Sequence, residues 1–429
     1  MDLKEALKKV KEAARMFVLS DEEVLNAVLL RLAKLLRERQ IDILAANKVD
    51  LDKMDKDDPL HDRVMLNVER ILEMAKSVEE IASYNSPIDI LLGEKMQENG
   101  LILKKVSVPL GVIGAIFEAR PNVLIDTFAL CFKARNACIM KGGSQAAETN
   151  FALFKLVLEA LKSGEAFMKN LAILLSNERE VTAELLTMSD FVDVIIPRGS
   201  QELIDYVRKN SLIPLIETGR GVCHTYVDEA ADLEKAVAIV FNAKTSRPSV
   251  CNALDTLLIH RARIGDLPEI CKGLIDFGVE IFADEEAFEV LHSRESENME
   301  TRQSRVFAVP GDNIFRAAQE NFGMEYMSLK MSVKVASSLE DAISHINHYG
   351  SLHSEAIITE NQRAAEKFMK AVDAACVYVN ASTRFTDGAV FGLGAEIGIS
   401  TQKLHARGPM GIKELTTYKW KIYGDGQVR

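Results

Sequence analysis

From Val112 onward, short apolar runs alternate with helical stretches, and this alternation restricts the possible fold more than any other feature of the sequence. Val112 to Phe117, Ala137 to Lys141, Leu171 to Leu175 and Val192 to Pro197 are almost wholly apolar. A strand buried on both faces reads as a continuous apolar run, whereas a strand wetted on one side alternates. Between these runs lie helical stretches such as Phe151 to Leu161 and Gln201 to Val207. The pattern predicts a parallel sheet with helices on both faces. A second run of the same kind begins near Thr225, with strands expected at Leu254 to His260, Gly278 to Phe282, Val306 to Val309, Met331 to Val335, Glu355 to Thr359 and Cys376 to Asn380. At 429 residues, 48% of them hydrophobic, the chain exceeds one core and two or three domains are expected.

Residues 1 to about 92 read as helical. Ser20 and Glu23 form a capping-box pattern ahead of the stripe Leu25, Val28, Leu29, Leu32, Leu35 and Leu36. A further helix is expected from about Asp62 to Ser83. Met96-Gln97-Glu98-Asn99-Gly100-Leu101-Ile102-Leu103 then sets Asn-Gly between two extended arms, a strong hairpin signal. A two-stranded ribbon is marginal in water, so it needs a surface: a subunit interface or its own domain. The tail is glycine-rich from Gly392 to Gly411 and extended-looking from Lys413 to Tyr423. It can return to the first domain or add to the ribbon.

A net charge of −11 disfavours nonspecific binding to nucleic acid or to anionic membranes. No apolar run reaches the ~18 residues of a membrane span, and the amphipathic N-terminus lacks a signal-peptide core. The six cysteines, at 131, 138, 223, 251, 271 and 376, form no CxxC pair, which predicts reduced thiols and a cytoplasmic protein. His345 and His348 share a helical face without further ligands nearby, so no metal is expected.

Three segments carry matching chemistry. Ser246-Arg247-Pro248-Ser249-Val250-Cys251-Asn252 is a polar turn with one cysteine ahead of a strand. Glu217 offers a carboxylate upstream, and Asn122 offers an amide donor. A thiolate, a base and an amide donor are the parts that acyl transfer needs. No G-x-G-x-x-G follows any strand, but Lys141-Gly142-Gly143-Ser144 and Arg198-Gly199-Ser200 fall at strand ends, where open α/β sheets bind ligands. Lys141 suits a ribose hydroxyl or a phosphate. Gly199 and Ser200 open the next helix, whose N-terminus suits a phosphate.

Several motifs together carry a family likeness. Val108-Pro109-Leu110-Gly111-Val112-Ile113-Gly114, Glu118-Ala119-Arg120-Pro121-Asn122-Val123, Ile196-Pro197-Arg198-Gly199, Ser246 to Ala253 and Thr417-Tyr418-Lys419-Trp420 resemble the γ-glutamyl phosphate reductase family. That family is a branch of the aldehyde dehydrogenase superfamily, and the likeness runs from about residue 5 to the C-terminus. It implies an α/β fold of the aldehyde dehydrogenase type: two Rossmann-like αβα domains with parallel sheets and a small β-ribbon for oligomerisation. Residues 1–93 and 109–224 would bind cofactor and 225–392 would be catalytic. Residues 94–108 with 411–429 would form the ribbon, and 393–410 would return to the cofactor domain.

The resemblance also implies NADPH-dependent reduction of L-glutamyl 5-phosphate to L-glutamate 5-semialdehyde and phosphate through a cysteine thioester, in proline biosynthesis. It further implies a homo-oligomer, dimer or tetramer, and a transient contact with glutamate 5-kinase. Cys251 falls at the catalytic cysteine and Asn122 at the oxyanion-hole asparagine. Lys141 and Glu325 match ribose-contacting positions, and Ser144 lies where the adenosine end is sensed. Arg247 neighbours Cys251 and can lower its pKa. Arg120, Arg247 and Arg384 are the cations expected at the substrate's carboxylate and phosphate. His224 and His353 also match family positions but receive no role.

One departure stands out. Glu217-Thr218-Gly219-Arg220 occupies a place where many family members carry a histidine and acidic residues. Glu217 resembles instead the base of hydrolytic aldehyde dehydrogenases. The alternative reading is therefore a general aldehyde dehydrogenase that oxidises an aldehyde to an acid with Glu217 as base. A coenzyme A requirement would indicate an acylating enzyme, and a non-catalytic scaffold is a third reading.

Overall fold

The computed structural model describes residues 2–55, 58, 60–299 and 313–429. The chain divides into two compact units, Met1–Thr218 with Gly388–Ile399 and Lys403–Arg429, and Gly219–Asp387 with Ser400–Gln402.

The first unit begins with α1 (Leu3–Phe17), α2 (Glu22–Glu38), α3 (Gln40–Leu51), α4 (His61–Val64) and α5 (Val68–Ser83). The stripe on α2 from Leu25 to Leu36 is buried, as its spacing predicts. The capping box expected at Ser20 does not form. Ser20 is buried and its hydroxyl donates to Glu165 Oε1 at 2.6 Å, so α2 starts after Asp21. The helix expected from Asp62 is also interrupted. Asn67 accepts from the Arg70 amide at 2.8 Å and caps α5 as a separate helix.

β1 (Leu91–Met96) and β2 (Ile102–Pro109) form the expected hairpin, with Met96 opposite Ile102. Gly100 takes φ +87°, open to glycine without strain, and its amide donates to the Gln97 carbonyl at 2.9 Å.

There follow β3 (Val112–Phe117), α6 (Asn122–Lys133), β4 (Ala137–Lys141), α7 (Ala147–Leu161), β5 (Ala172–Leu174), α8 (Arg179–Leu185), β6 (Val194–Arg198) and α9 (Gln201–Asn210). The four strands pair in parallel in the order β5-β4-β3-β6. β3 is buried at every position, which accounts for its unbroken apolar run. The chain steps from β3 to β4 to β5 in one direction and then places β6 on the other side of β3. That reversal makes a switch point between β3 and β6, where crevices open beyond the strand ends.

Lys133, at the end of α6, is wholly buried. Its ammonium donates to Glu22 Oε1 at 2.9 Å, Asn26 Oδ1 at 2.6 Å and the Ala82 carbonyl at 3.1 Å. Three acceptors match its three N–H bonds, which a buried cation requires.

The second unit contains β7 (Cys223–Val227), α10 (Leu233–Thr245), β8 (Leu254–His260), α11 (Leu267–Asp276), β9 (Glu280–Ala283), α12 (Glu285–Met299), β10 (Ile314–Arg316), β11 (Lys330–Ala336), α13 (Leu339–Tyr349), β12 (Ser354–Ile358), α14 (Gln362–Ala371) and β13 (Cys376–Val379). Its sheet is parallel in the order β10-β9-β11-β8-β7-β12-β13. Alternate residues feed two cores. Val227 and Leu257 pack with α10 and α11, while Tyr226 and Leu258 pack with α13 and α14. β7 and β10 add to the strands expected from sequence. The strand expected at Val306 to Val309 lies outside the described residues.

The tail passes through β14 (Ile399–Ser400) and β15 (Gly408–Pro409) to β16 (Thr416–Tyr423). β16 pairs antiparallel with β2 from Thr416 opposite Pro109 to Tyr423 opposite Ile102, so the tail completes the ribbon as its third strand.

Candidate active site

In the first unit the carboxyl ends of β4, β3 and β6 are neighbours, and each carries an expected residue. After β3, Asn122 opens α6, and its Nδ2 donates to Asp126 Oδ2 at 3.1 Å. Asp126 also accepts from Ser77 Oγ at 3.3 Å. Burial pushes its carboxyl up to about 6 against the pull of Asn122, Arg198 and Ser77. Arg120, half-buried on the same loop, donates its amide to the Glu118 carbonyl at 2.7 Å.

Lys141 ends β4. Burial lowers its pKa, the charge of Arg179 lowers it further, and Glu118 opposes both. The glycines after it allow close approach: a Cβ on Gly142 would strike Asn150, and one on Gly143 would strike the Gln145 side chain. Ser144 follows, exposed.

Beyond β6, Ser200 caps α9, its Oγ accepting from the Leu203 amide at 3.3 Å. The Glu118 carboxylate is seated on this helix start. Its Oε2 accepts from the Ser200 amide at 2.7 Å and its Oε1 from the Ser200 hydroxyl at 2.9 Å. A Cβ on Gly199 would collide with that carboxylate. Backbone N–H and helix dipole together favour an anion at this point.

Glu217 is buried and engaged by Arg208, whose Nε donates to Oε1 at 2.8 Å and whose Nη2 meets Oε2. This two-pronged pairing raises Arg208 above its ordinary pKa.

In the second unit, residues 246–252 join α10 to β8. All six cysteines are among the described residues and none forms a disulfide; five are buried and Cys251 alone is half-buried. Gly221 lies under it so closely that a Cβ there would overlap the Cys251 carbonyl. The Gly221 amide donates to Glu325 Oε1 at 2.9 Å. Cys223 donates its thiol to the Cys251 carbonyl at 3.2 Å. Burial, then Glu355 and Asp255, hold the Cys223 pKa well above the usual thiol value. It therefore acts as a neutral donor.

Side chains from distant segments pin the turn. Asn252 Nδ2 donates to the Thr386 carbonyl at 2.7 Å, and its backbone carbonyl accepts from Thr383 Oγ1 at 2.8 Å. Arg384 donates through Nη1 to Asn252 Oδ1 and through Nε to Ser246 Oγ at 3.1 Å. Burial and the nearby charge of Arg247 lower the Arg384 pKa. Thr386 Oγ1 meets Ser354 Oγ and the Tyr378 hydroxyl, each at 2.7 Å, and Ser354 Oγ meets His353 Nδ1 at 2.8 Å. Asp255 accepts from the Tyr326 amide at 3.0 Å. Lys244 Nζ lies 3.9 Å from Asp255 Oδ1; burial raises the carboxyl and lowers the ammonium while their attraction opposes both.

Deeper in the sheet, His224 Nδ1 pairs with Glu355 Oε2 at 3.0 Å. Burial takes His224 down to about 3, His345 to about 3 and His353 to about 4, and raises Glu355 well above the carboxylate range.

The first unit thus gathers Arg120, Asn122, Lys141, Ser144, Gly199 and Ser200 at neighbouring strand ends. The second gathers Arg247, Cys251, Arg384 and, through Gly221, Glu325. Sequence reasoning does not single out Glu118, Gly221, Cys223, Asn252, Asp255 or Thr386. Glu118 and Asn252 lie in the quoted motifs, which is the one local signal for them. Nothing near Thr386 in sequence marks it as a partner of residue 252.

A model of the aldehyde dehydrogenase family matches residues 1–273. The chain is 50% identical over 427 residues to a γ-glutamyl phosphate reductase of Chlorobium limicola, covering 100% of this chain and 99% of the relative. It is 46% identical over 429 residues to that of Parabacteroides distasonis, covering both in full. The crystal structure of γ-glutamyl phosphate reductase from Thermotoga maritima superposes with a TM-score of 0.92 at 39% identity, covering 100% of both chains. An acetylating aldehyde dehydrogenase from Geobacillus thermoglucosidasius shares the fold, with a TM-score of 0.69 at 16% identity over 100% of this chain and 97% of its own.

Proposed function

We infer a division of labour from one premise: the chain belongs to the aldehyde dehydrogenase family, in its γ-glutamyl phosphate reductase branch. The protein is a glutamate-5-semialdehyde dehydrogenase that reduces L-glutamyl 5-phosphate to L-glutamate 5-semialdehyde, a step of proline biosynthesis. The observation that carries the mechanism is Cys251, the one cysteine not buried, on a turn held from four sides.

The Cys251 thiolate attacks the acyl carbon, the bond to the phosphoryl oxygen breaks, and inorganic phosphate leaves behind a thioester. Arg384 interacts electrostatically with Cys251 and with Arg247, and we assign this positive charge to favouring the thiolate. The oxygen of each tetrahedral species needs hydrogen-bond donors, and we assign the Asn122 amide and the Cys251 backbone N–H to that role. Asp126 fixes the orientation of that amide. Arg120, Arg247 and Arg384 are the cations for the substrate's carboxylate and phosphate.

The residues of the first unit fit a nicotinamide dinucleotide. Ser200 already holds an anion at the switch point, glycines precede Ser144, and Lys141 stands at the next strand end. The cofactor, when bound, supplies the hydride that reduces the thioester. We assign NADPH: the charges of Lys141 and Arg179 act on each other, and two neighbouring cations suit a 2′-phosphate. Glu325 is assigned to a ribose hydroxyl pair. Glu217, committed to Arg208, has a supporting part in a reduction that activates no water.

We assign the ribbon to a contact between copies of the chain: Leu91, Met96, Trp420 and Ile422 are exposed large apolar residues on its strands. No helix among the described residues is long and apolar enough to cross a membrane. We place the reaction in the cytoplasm, where reduced thiols persist.

The test is NADP⁺ reduction with the semialdehyde. Turnover should depend strictly on phosphate or arsenate and vanish in Cys251→Ala. Turnover that needs only water would replace this reading with the hydrolytic one.

A further inference from the structure

We propose that Glu118 is an internal competitor for the cofactor's diphosphate and sets how tightly the dinucleotide binds. The inference rests on the dinucleotide reading given above. Ser200 presents two donors at the start of a ten-residue helix, its amide and its hydroxyl, and both are turned onto one carboxylate. That carboxylate comes from the loop after β3, and Ser200 from the loop after β6, so they meet at the switch point of the sheet. Gly199 has no Cβ, and one placed there would fall into the Glu118 side chain. The geometry is that of an anion cradle whose present occupant is part of the chain.

A diphosphate oxygen needs the same amide and the same hydroxyl, and neither can serve two anions at once. A carboxylate left in place would also repel the incoming phosphate at short range. Dinucleotide binding therefore requires the Glu118 side chain to leave Ser200. Glu118 is half-buried rather than sealed in, so its side chain has solvent to turn into. The exchange trades one anion for another on fixed donors, and its equilibrium discounts the affinity of the cofactor. Glu118 also shares its loop with Arg120 and Asn122, so that loop carries both the competitor and the oxyanion donor.

The experiment is a calorimetric titration of the full chain with NADP⁺, comparing the unaltered protein with Glu118→Gln and Glu118→Ala. Gln keeps the shape and one acceptor for Ser200 but loses the charge; Ala removes the occupant. Both should bind NADP⁺ roughly tenfold more tightly, the size of a typical coupling between competing events. Adenosine 2′-monophosphate, which has no diphosphate, should gain less than about threefold, because it leaves the Ser200 donors alone. Unchanged or weaker NADP⁺ binding by both variants, with melting temperatures near that of the unaltered chain, overturns the proposal. An equal gain for adenosine 2′-monophosphate also overturns it, since the effect would then be a general field. If the unaltered chain binds no NADP⁺ at all, the dinucleotide reading itself falls; if it binds and the variants do not tighten, only this inference falls.

Discussion

In the first unit the side chains we assign to the oxyanion and the cofactor come after their strands: Asn122 follows β3, Lys141 ends β4 and Ser200 follows β6. In the second, Cys251 comes before β8, and the residues that hold its turn, Cys223 and Ser354, open β7 and β12. The two arrangements suit different tasks. A chain leaving a parallel strand runs into a helix start, where unused N–H groups attract anions. A chain entering a strand comes from a helix end, whose carbonyls carry the wrong sign for a thiolate. The first arrangement gives a cradle whose occupant can be exchanged. The second needs side chains to hold the turn and guanidinium groups to correct its charge, and Asn252, Thr386, Arg384 and Arg247 supply both.

If that contrast is right, Asn122→Ala and Asn252→Ala should fail in different ways. Loss of the Asn122 donor should lower kcat about 100-fold or more while KM for NADPH changes little. Loss of the Asn252 amide takes the donor from the Thr386 carbonyl and the acceptor from Arg384 Nη1, so stability should fall by about 1–3 kcal/mol along with kcat. Steady-state kinetics and urea unfolding of both variants measure this, and an Asn252→Ala chain as stable as its parent would undo the claim that the turn is pinned.

One buried residue from each unit, His353 and Asp126, should also tilt stability oppositely with acid. His353 faces Ser354 Oγ and the Cys223 thiol, and burial holds its folded pKa near 4, below the ordinary 6.5. The unfolded chain takes up a proton below 6.5 that the folded chain refuses. Stability from this residue is thus complete above 6.5 and is lost as pH falls towards 4, at about 1.4 kcal/mol per pH unit. His353→Gln should remove that slope. Asp126, raised from 3.8 to about 6, behaves the other way. Folded Asp126 keeps its proton through that window, so its contribution falls as pH rises, and Asp126→Asn should steepen the acid loss. Denaturation midpoints from pH 4 to 7 test both, and parallel curves for the two variants would refute the contrast.

The smallest effect should come from Glu217→Gln. With its carboxylate committed to Arg208, phosphate-linked turnover should stay within about threefold of the parent. A loss of 100-fold or more would restore Glu217 to the chemistry.

The sheet strands were legible because burial on both faces writes itself as an apolar run, and Val112–Phe117, Ala137–Lys141 and Leu254–His260 have the bounds that their runs predict. β10 is three residues long, too short for any period, and β7 hides its run behind His224 and Thr225. His224 is tolerated there because Glu355, far along the chain, sits opposite it on β12. Reactive residues showed themselves through local motifs, whereas the groups that hold them did not. Cys251 reads as a candidate in its own turn, but Thr386 and Gly221 acquire meaning only once the strands are assembled. The Arg208–Glu217 pair was hidden for the same reason, since neither residue announces the other.

Lys133 has a consequence for how the polypeptide tolerates trimming. Its ammonium can be sealed in only after α2 and the end of α5 have arrived, because Glu22, Asn26 and the Ala82 carbonyl are its acceptors. Any shortening that removes α2 would strand a bare cation beneath the sheet. The amino-terminal helices, outwardly a dispensable leader to the sheet, are therefore a lock whose key lies a hundred residues downstream.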